Sequence, residues 1–255
     1  FDPFLGGGSS SVESIALGRN FIGCDRNALA CFVSKVKTKK LTKSDINIIL
    51  DWTQKLIEIK KLKKIKKIQY QNIKEFSRKD TWRIAQFIEG CLFLLNKVKS
   101  KRAENFLRCA ILKTAQWSYD WKKTIPEINV FHKKLISNIL KMIVQINTFN
   151  KELNKKNYIK ILHKSAEEIS LGNFNNQKPK LIVTSPPYPG IHISYSQWAV
   201  KSRKVTSAPY WIANQPDGYD PSYYTLGSTS PAGQIKYFDS MKKIFSKLNL
   251  ICDRL

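Results

Sequence analysis

One stretch constrains this chain more than any other: Leu181-Ile182-Val183-Thr184-Ser185-Pro186-Pro187-Tyr188-Pro189-Gly190. A short β-branched run broken by two adjacent prolines predicts a buried strand whose chain leaves the sheet as a rigid turn, because proline fixes φ and has no N–H to continue a ladder. The carbonyls around the prolines are released to face a ligand, and Tyr188 adds a flat ring beside them. Carbonyls beside a ring suit a planar amine.

A second stretch opens the chain. Phe1-Asp2-Pro3-Phe4-Leu5-Gly6-Gly7-Gly8 runs into three serines, and a glycine-rich turn of this kind lets backbone approach a bound ligand closely. A side chain at Gly6 or Gly8 is expected to crowd that approach, and Ser9, Ser10 or Ser11 is expected to cap the helix that follows. Gly18-Arg19-Asn20-Phe21-Ile22-Gly23-Cys24-Asp25 then reads as a turn, a short strand and an acid at its end. The interval from Gly8 to Asp25 is close to that at which a carboxylate meets a ribose hydroxyl in nucleoside-binding sheets.

Thr184-Ser185-Pro186-Pro187-Tyr188 resembles the catalytic motif of the amino-DNA methyltransferases, in which Asp, Asn or Ser precedes Pro-Pro and an aromatic residue. Asp2-Pro3-Phe4 with its glycines resembles the cofactor motif of the same family, and the Gln-Trp, Ser-Arg-Lys and Ala-Pro-Tyr-Trp phrases between Pro189 and Ile212 are similar to one subgroup of it. The resemblance implies a Rossmann-like α/β sheet carrying S-adenosyl-L-methionine on Asp2, Pro3, Phe4, Gly6, Gly8 and Asp25. It implies a catalytic motif of Ser185, Pro186, Pro187 and Tyr188 that methylates the exocyclic amino nitrogen of a base flipped out of DNA. The Ser185 side chain and the Pro186 carbonyl would accept the amine hydrogens, and Tyr188 would stack on the base. Ser as the first motif residue favours cytosine N4 over adenine N6. Ser165 stands near the position where the family places a residue by the cofactor adenine. DNA is the expected partner, with a cognate restriction endonuclease as a second. Two alternatives stay open: a protein glutamine N-methyltransferase, against which Ser185 and the positive charge speak, and a truncated inactive relative serving as a basic nucleic-acid-binding module.

Charge divides the chain. The net charge is +25, and residues 35–157 hold 30 basic against 10 acidic residues, a net +20. Such a balance favours polyanions at low salt. With 36 Lys and only eight Arg, part of this basicity reads as codon bias. The expected division is 1–36 as the cofactor-binding part, 37–157 as a helical basic insertion read either as a structural or oligomerisation element or as one that contacts DNA or recognises the target, and 158–255 as the catalytic part. The sheet is expected to be incomplete: residue 1 is not Met and falls where a first strand should be ending, and further strands are expected beyond Leu255. Five cysteines without a CxxC pair fit a reducing compartment. With no apolar run near the roughly 18 residues of a membrane span, a cytoplasmic protein without a membrane partner is expected. His132, His163 and His192 are too scattered for a metal site, and the transfer requires no metal.

The insertion reads as four amphipathic helices. The first runs from Thr42 to about Tyr70 and the second follows Ser77, with Thr42-x-x-Asp45 and Ser77-x-x-Asp80 as capping signals. The third carries Phe106, Leu107, Ala110, Ile111, Thr114 and Trp117. The fourth starts near Pro126, with Ile128, Phe131, Leu135, Ile139, Met142, Ile146 and Phe149 on one face. Lysines between Lys60 and Lys67 are candidate phosphate contacts. The segment from His192 to Tyr224 reads as a long loop in which aromatics interleave with bases, as in a nucleic-acid groove, with at least half of its rings expected to pack instead. Tyr158 to Leu162 reads as a strand, and Gln234 to Leu250 as a helix.

Overall fold

The computed structural model describes residues 1–58, 76, 81–152, 157–189, 198–200, 203–205, 207–216 and 221–252. In chain order its elements begin with α1 (Ser9–Ala16), β1 (Phe21–Asp25), α2 (Ala28–Thr38), α3 (Lys43–Glu58), α4 (Trp82–Leu95) and α5 (Lys101–Tyr119). They continue with α6 (Ile128–Glu152), β2 (Ile159–His163), β3 (Trp198–Val200), β4 (Arg203–Val205), α7 (Ser207–Ala213), α8 (Pro221–Tyr224) and α9 (Pro231–Ile251). The Lys60 to Lys67 run and the Ser77-x-x-Asp80 signal lie outside the described residues. No described helix is long and apolar enough to cross a membrane.

The chain divides into two units: Phe1–Thr38 with Leu153–Ile193 and Pro216–Leu255, and Lys39–Glu152 with Ser194–Gln215. In the first, β1 and β2 pair in parallel with Phe21 opposite Ile159 and Asp25 opposite His163. The ladder continues on the other edge of β1, where Asp2 donates its N–H to the Ile22 carbonyl at 3.0 Å and accepts from the Cys24 N–H at 2.9 Å. Phe1 carries it one step further, its nitrogen donating to Leu181 O at 2.8 Å and its carbonyl accepting from Val183 N at 3.1 Å. Four extended segments therefore lie side by side in the order 159–163, 21–25, 1–2, 181–183. Strand alternation turns Ile22, Cys24, Leu162 and Ile182 toward α9, whose Met241, Ile244, Leu248 and Ile251 are buried with Ile169, Phe174 and Leu226.

Leu181-Ile182-Val183 departs from the expected buried strand. Leu181 is 66% and Val183 57% exposed, while Ile182 packs against the α9 cluster. The alternation that puts one residue of the run on the covered face puts its two neighbours on the other, so the run is extended but buried on one side only.

The second unit is mainly helical. Phe106, Leu107, Ala110 and Ile111 of α5 are buried, as are Ile84, Ile88, Cys91 and Leu95 of α4 and Phe131, Leu135, Ile139, Ile143 and Ile146 of α6. Pro126 precedes α6, which begins two residues later, and Ile128 is 37% exposed. The segment read as a loop contains regular structure: β3 and β4 form an antiparallel pair and α7 follows. Trp198 and Tyr210 are buried, so these two rings pack rather than face a groove. Strands of three residues are too short to show a period in sequence.

Thr42 and Asp45 form a reciprocal cap at the start of α3, with Thr42 N donating to Asp45 Oδ2 at 2.8 Å and Asp45 N to Thr42 Oγ1 at 3.1 Å. The same carboxylate accepts from Ser100 Oγ at 2.5 Å and pairs with Arg102 Nε at 2.8 Å. Asp45 thereby fastens the start of α3 to the start of α5, where Ser100 caps Ala103 N. Asp45→Ala is expected to lower the stability of the helical unit by on the order of 2 kcal/mol, because hydrogen bonds to a buried charged group are lost together. Urea unfolding followed by circular dichroism checks it.

Candidate active site

The glycine-rich turn hangs between two carboxylates. Leu5 N donates to Cys24 O at 3.0 Å and Gly8 N to Leu5 O at 2.9 Å, which folds residues 5–8 back over the end of β1. Gly6 and Gly8 have φ of +50° and +78°, in the left-handed region that favours glycine. Gly6 N donates to Asp25 Oδ2 at 2.8 Å, and Asn27 N to Asp25 Oδ1, also at 2.8 Å. The acid at the end of β1 is thus tied to the turn.

The two glycines differ in what surrounds them. A Cβ at Gly6 would meet nothing nearer than the Phe4 carbonyl at 3.9 Å, so space lies open above it. A Cβ at Gly8 would overlap Ser34 of α2. Gly8 therefore has a packing reason of its own, since α2 lies against the turn where a side chain would stand. The expectation for the serines is corrected: Gly8 itself is the N-cap of α1, without a side-chain cap. Ser11 Oγ donates back to Gly8 O at 2.6 Å, and Ser10 Oγ donates to Asp2.

Asp2 joins the two sequence motifs. Only 4% exposed, its carboxylate accepts from Phe4 N at 3.0 Å, from Ser10 Oγ and from Thr184 Oγ1 at 2.6 Å. Thr184 directly precedes Ser185, so this bond and the ladder through Phe1 bring the Pro-Pro motif beside the glycine-rich turn. Ser185 is exposed, Pro186 and Pro187 are half-buried, and Tyr188 is 61% exposed. Burial raises the Tyr237 phenol of α9 above its ordinary value, and neighbouring Tyr188 adds to the rise. Pro3 is buried and its carbonyl accepts from Cys24 Sγ at 3.4 Å. Phe4 is half-buried against the α9 cluster.

Sequence reasoning missed Thr184 and Ser10 as supports of Asp2, and it missed Arg26 altogether. Arg26 follows Asp25, and its guanidinium donates to Ser165 Oγ at 2.8 Å and to Tyr223 O at 2.8 Å, lying 4.6 Å from the Tyr223 ring centroid. The Ser165 hydroxyl, expected near a cofactor adenine, accepts from Arg26 and from Glu167 N. Arg26 holds the Tyr223-Tyr224 corner over the ends of β1 and β2. The sequence offers adjacent Tyr223 and Tyr224, but nothing local pairs them with residue 26.

Burial pushes the Asp25 carboxyl up to about 6 from 3.8, against the opposing pull of the Asn27 and Gly6 N–H groups; Asp2 adds to the rise and Arg26 reduces it. The folded protein therefore keeps a proton on Asp25 that the unfolded chain releases near pH 4. The stability this proton supplies is present below about pH 4 and is lost as pH rises through about 6. Measured by urea unfolding, the stability difference between wild type and Asp25→Asn is expected to move in favour of wild type by on the order of 2 kcal/mol between pH 7 and pH 4.

In comparison with known proteins, the chain is similar to the Type II methyltransferase M.MvaI of Kocuria varians, with 25% identity over 210 residues, which is 74% of this chain and 46% of that protein. It spans less than half the length of that relative. No protein-family profile matches the chain, and no solved structure matches it.

Proposed function

We propose that this chain is part of an S-adenosyl-L-methionine-dependent DNA methyltransferase. It acts on the exocyclic amino nitrogen of a flipped base, with cytosine N4 favoured over adenine N6. The observation that carries the reading is the Asp2–Thr184 bond, which draws the glycine-rich turn and Ser185-Pro186-Pro187-Tyr188 to one end of a parallel ladder. Ligands of open α/β sheets bind outside the carboxyl ends of adjacent strands. Likeness to a type II methyltransferase supports the same class. On this reading the four parallel segments belong to a Rossmann-like sheet, the helices from α3 to α6 are its insertion, and a restriction endonuclease of matching specificity is the implied second partner.

The residues present fit the cofactor. Gly6 leaves open space where a side chain would stand, and the Asp25 carboxylate beside it is the acceptor for ribose hydroxyls. Asp2 fixes the turn, and Arg26, next to Asp25, holds Tyr223. Bound S-adenosyl-L-methionine supplies a methyl group on a sulfonium, which leaves its bonding pair on sulfur.

The chain's own residues prepare the nucleophile. An exocyclic amine has its lone pair delocalised into the base, so it reacts only when acceptors hold its hydrogens and favour a pyramidal nitrogen. Ser185 Oγ and the Pro186 carbonyl are those acceptors, and their bonds strengthen as the nitrogen pyramidalises, so their effect falls on the rate. Tyr188, with most of its ring open to solvent, stacks on the extruded base. The surplus proton on the methylated nitrogen leaves to water through the exposed Ser185 hydroxyl.

Ser185→Ala is expected to lower single-turnover methylation at least a hundredfold, on the scale of a lost transition-state hydrogen bond, with cofactor and DNA affinity nearly unchanged. Tyr188→Ala is expected to weaken DNA binding by about 1–3 kcal/mol, with an aromatic replacement retaining most of it. Tritiated methyl transfer to DNA, followed by mass analysis of the nucleosides, measures the rate and separates N4-methylcytosine from N6-methyladenine. Methylation found only on protein glutamine would replace the reading.

A further inference from the structure

The helical unit ends α5 in an unusual way. Trp121, two residues beyond the helix, has φ +56°, in the left-handed region, and is 74% exposed. A bulky residue is strained in that conformation, where glycine or asparagine would be at ease, and a large exposed ring adds nothing to a core. Strained backbone of this kind persists where the surroundings over-determine it. Here they do: Trp121 N donates to Ala199 O at 3.1 Å, and Ala199 N donates to Asp120 Oδ1 at 2.8 Å. Asp120 N closes the helix on Gln116 O at 2.8 Å. Tyr119, fully buried, anchors the same corner through its hydroxyl on Thr81 O at 2.9 Å. Trp121 is therefore presented on a fixed backbone.

Charge gathers beside it. Lys122 Nζ lies 5.7 Å and Lys134 Nζ 5.3 Å from the centroid of the Trp117 ring. One ring thus gathers ammonium groups from the end of α5 and from α6. Lys113, Lys123 and Lys133 are exposed close by in sequence, against Asp120, engaged by Ala199, and Glu127. An exposed indole on a fixed backbone, followed in the chain by Lys122 and Lys123, with Lys122 and Lys134 meeting at the Trp117 ring, combines the two elements of nucleic-acid grooves, a stacking face and phosphate partners.

We propose that the Trp117–Lys134 corner of the helical unit is a DNA contact, in which Trp121 stacks on an unpaired base and Lys122, Lys123 and Lys134 pair with the adjoining phosphates. This rests on the DNA-methyltransferase reading. It assigns DNA affinity to residues other than the Lys60 to Lys67 run.

The probe is a fluorescein-labelled duplex with one unpaired nucleotide, bound to the whole protein and followed by anisotropy from 50 to 200 mM salt. Trp121→Gly relieves the backbone, so its melting temperature is expected to rise while DNA affinity falls about tenfold at every salt. Trp121→Asn, which keeps the left-handed turn, is expected to show the same loss of affinity. The double variant Lys122→Gln, Lys134→Gln is expected to make the slope of log affinity against log salt shallower by about one to two. Methyl transfer at saturating DNA should be unchanged in all three, with only the KM for DNA raised. Wild-type affinity and salt slope in the variants, with the wild type methylating DNA, would overturn this contact and leave the methyltransferase reading standing. A wild type that neither binds nor methylates DNA would overturn both.

Discussion

The arrangement of the site depends on one buried carboxylate. Asp2 is 4% exposed and is satisfied by neutral donors from three places: Phe4 N, Ser10 Oγ and Thr184 Oγ1. A buried charge is costly unless its lone pairs are met, and here each bond that meets one also fixes a piece of the site. Phe4 N sets the course of the chain into the glycine turn, Ser10 sets the first turn of α1, and Thr184 brings in a segment 182 positions away. Ser10 and Thr184 need no part in the chemistry to matter for it, because without them Asp2 would hold the turn and release the Pro-Pro motif.

Asp25 is the counterpart at the end of the neighbouring strand. Its two oxygens accept from Gly6 and Asn27 backbone N–H groups, bonds that favour the ionised form, yet burial raises its pKa nonetheless. A carboxylate held below its preferred degree of ionisation gains from further donors. On the proposed reading ribose hydroxyls are such donors, and hydrogen bonds from them favour the charged form.

What the sequence disclosed follows from how local each feature is. The Thr42 and Asp45 cap was legible because its partners are three residues apart, and the glycine turn because only glycine accepts the φ of positions 6 and 8 at ease. The two motifs were legible separately, but the threonine that joins them was not, since a hydroxyl carries no mark of a partner so distant. Arg26 and Tyr223 were hidden for the same reason, lying 197 positions apart. Leu181-Ile182-Val183 misled because three adjacent apolar residues read alike whether one face of a strand is covered or both. Ser9 to Ser11 misled because the cap position had already been taken by Gly8 in a conformation that composition does not reveal.

The division of charge between the units has a physical reason on the proposed reading. A sulfonium cofactor and a polyanionic substrate make opposite demands: the first is repelled by a positive site, the second attracted by one. Residues 1–34, which hold the glycine turn, Asp2 and Asp25, carry three acids against Arg19 and Arg26 and no lysine. Lys39–Glu152 with Ser194–Gln215 carries 29 basic against 10 acidic residues. Spread evenly, the same +25 would oppose the cofactor wherever it helped the DNA. Kept mostly in the helical unit, on the proposed reading it supplies attraction to phosphates there. On the proposed reading, chemistry and affinity thereby draw on different stretches of one chain, the slightly acidic residues 1–34 for the sulfonium and the strongly basic helical unit for the phosphates.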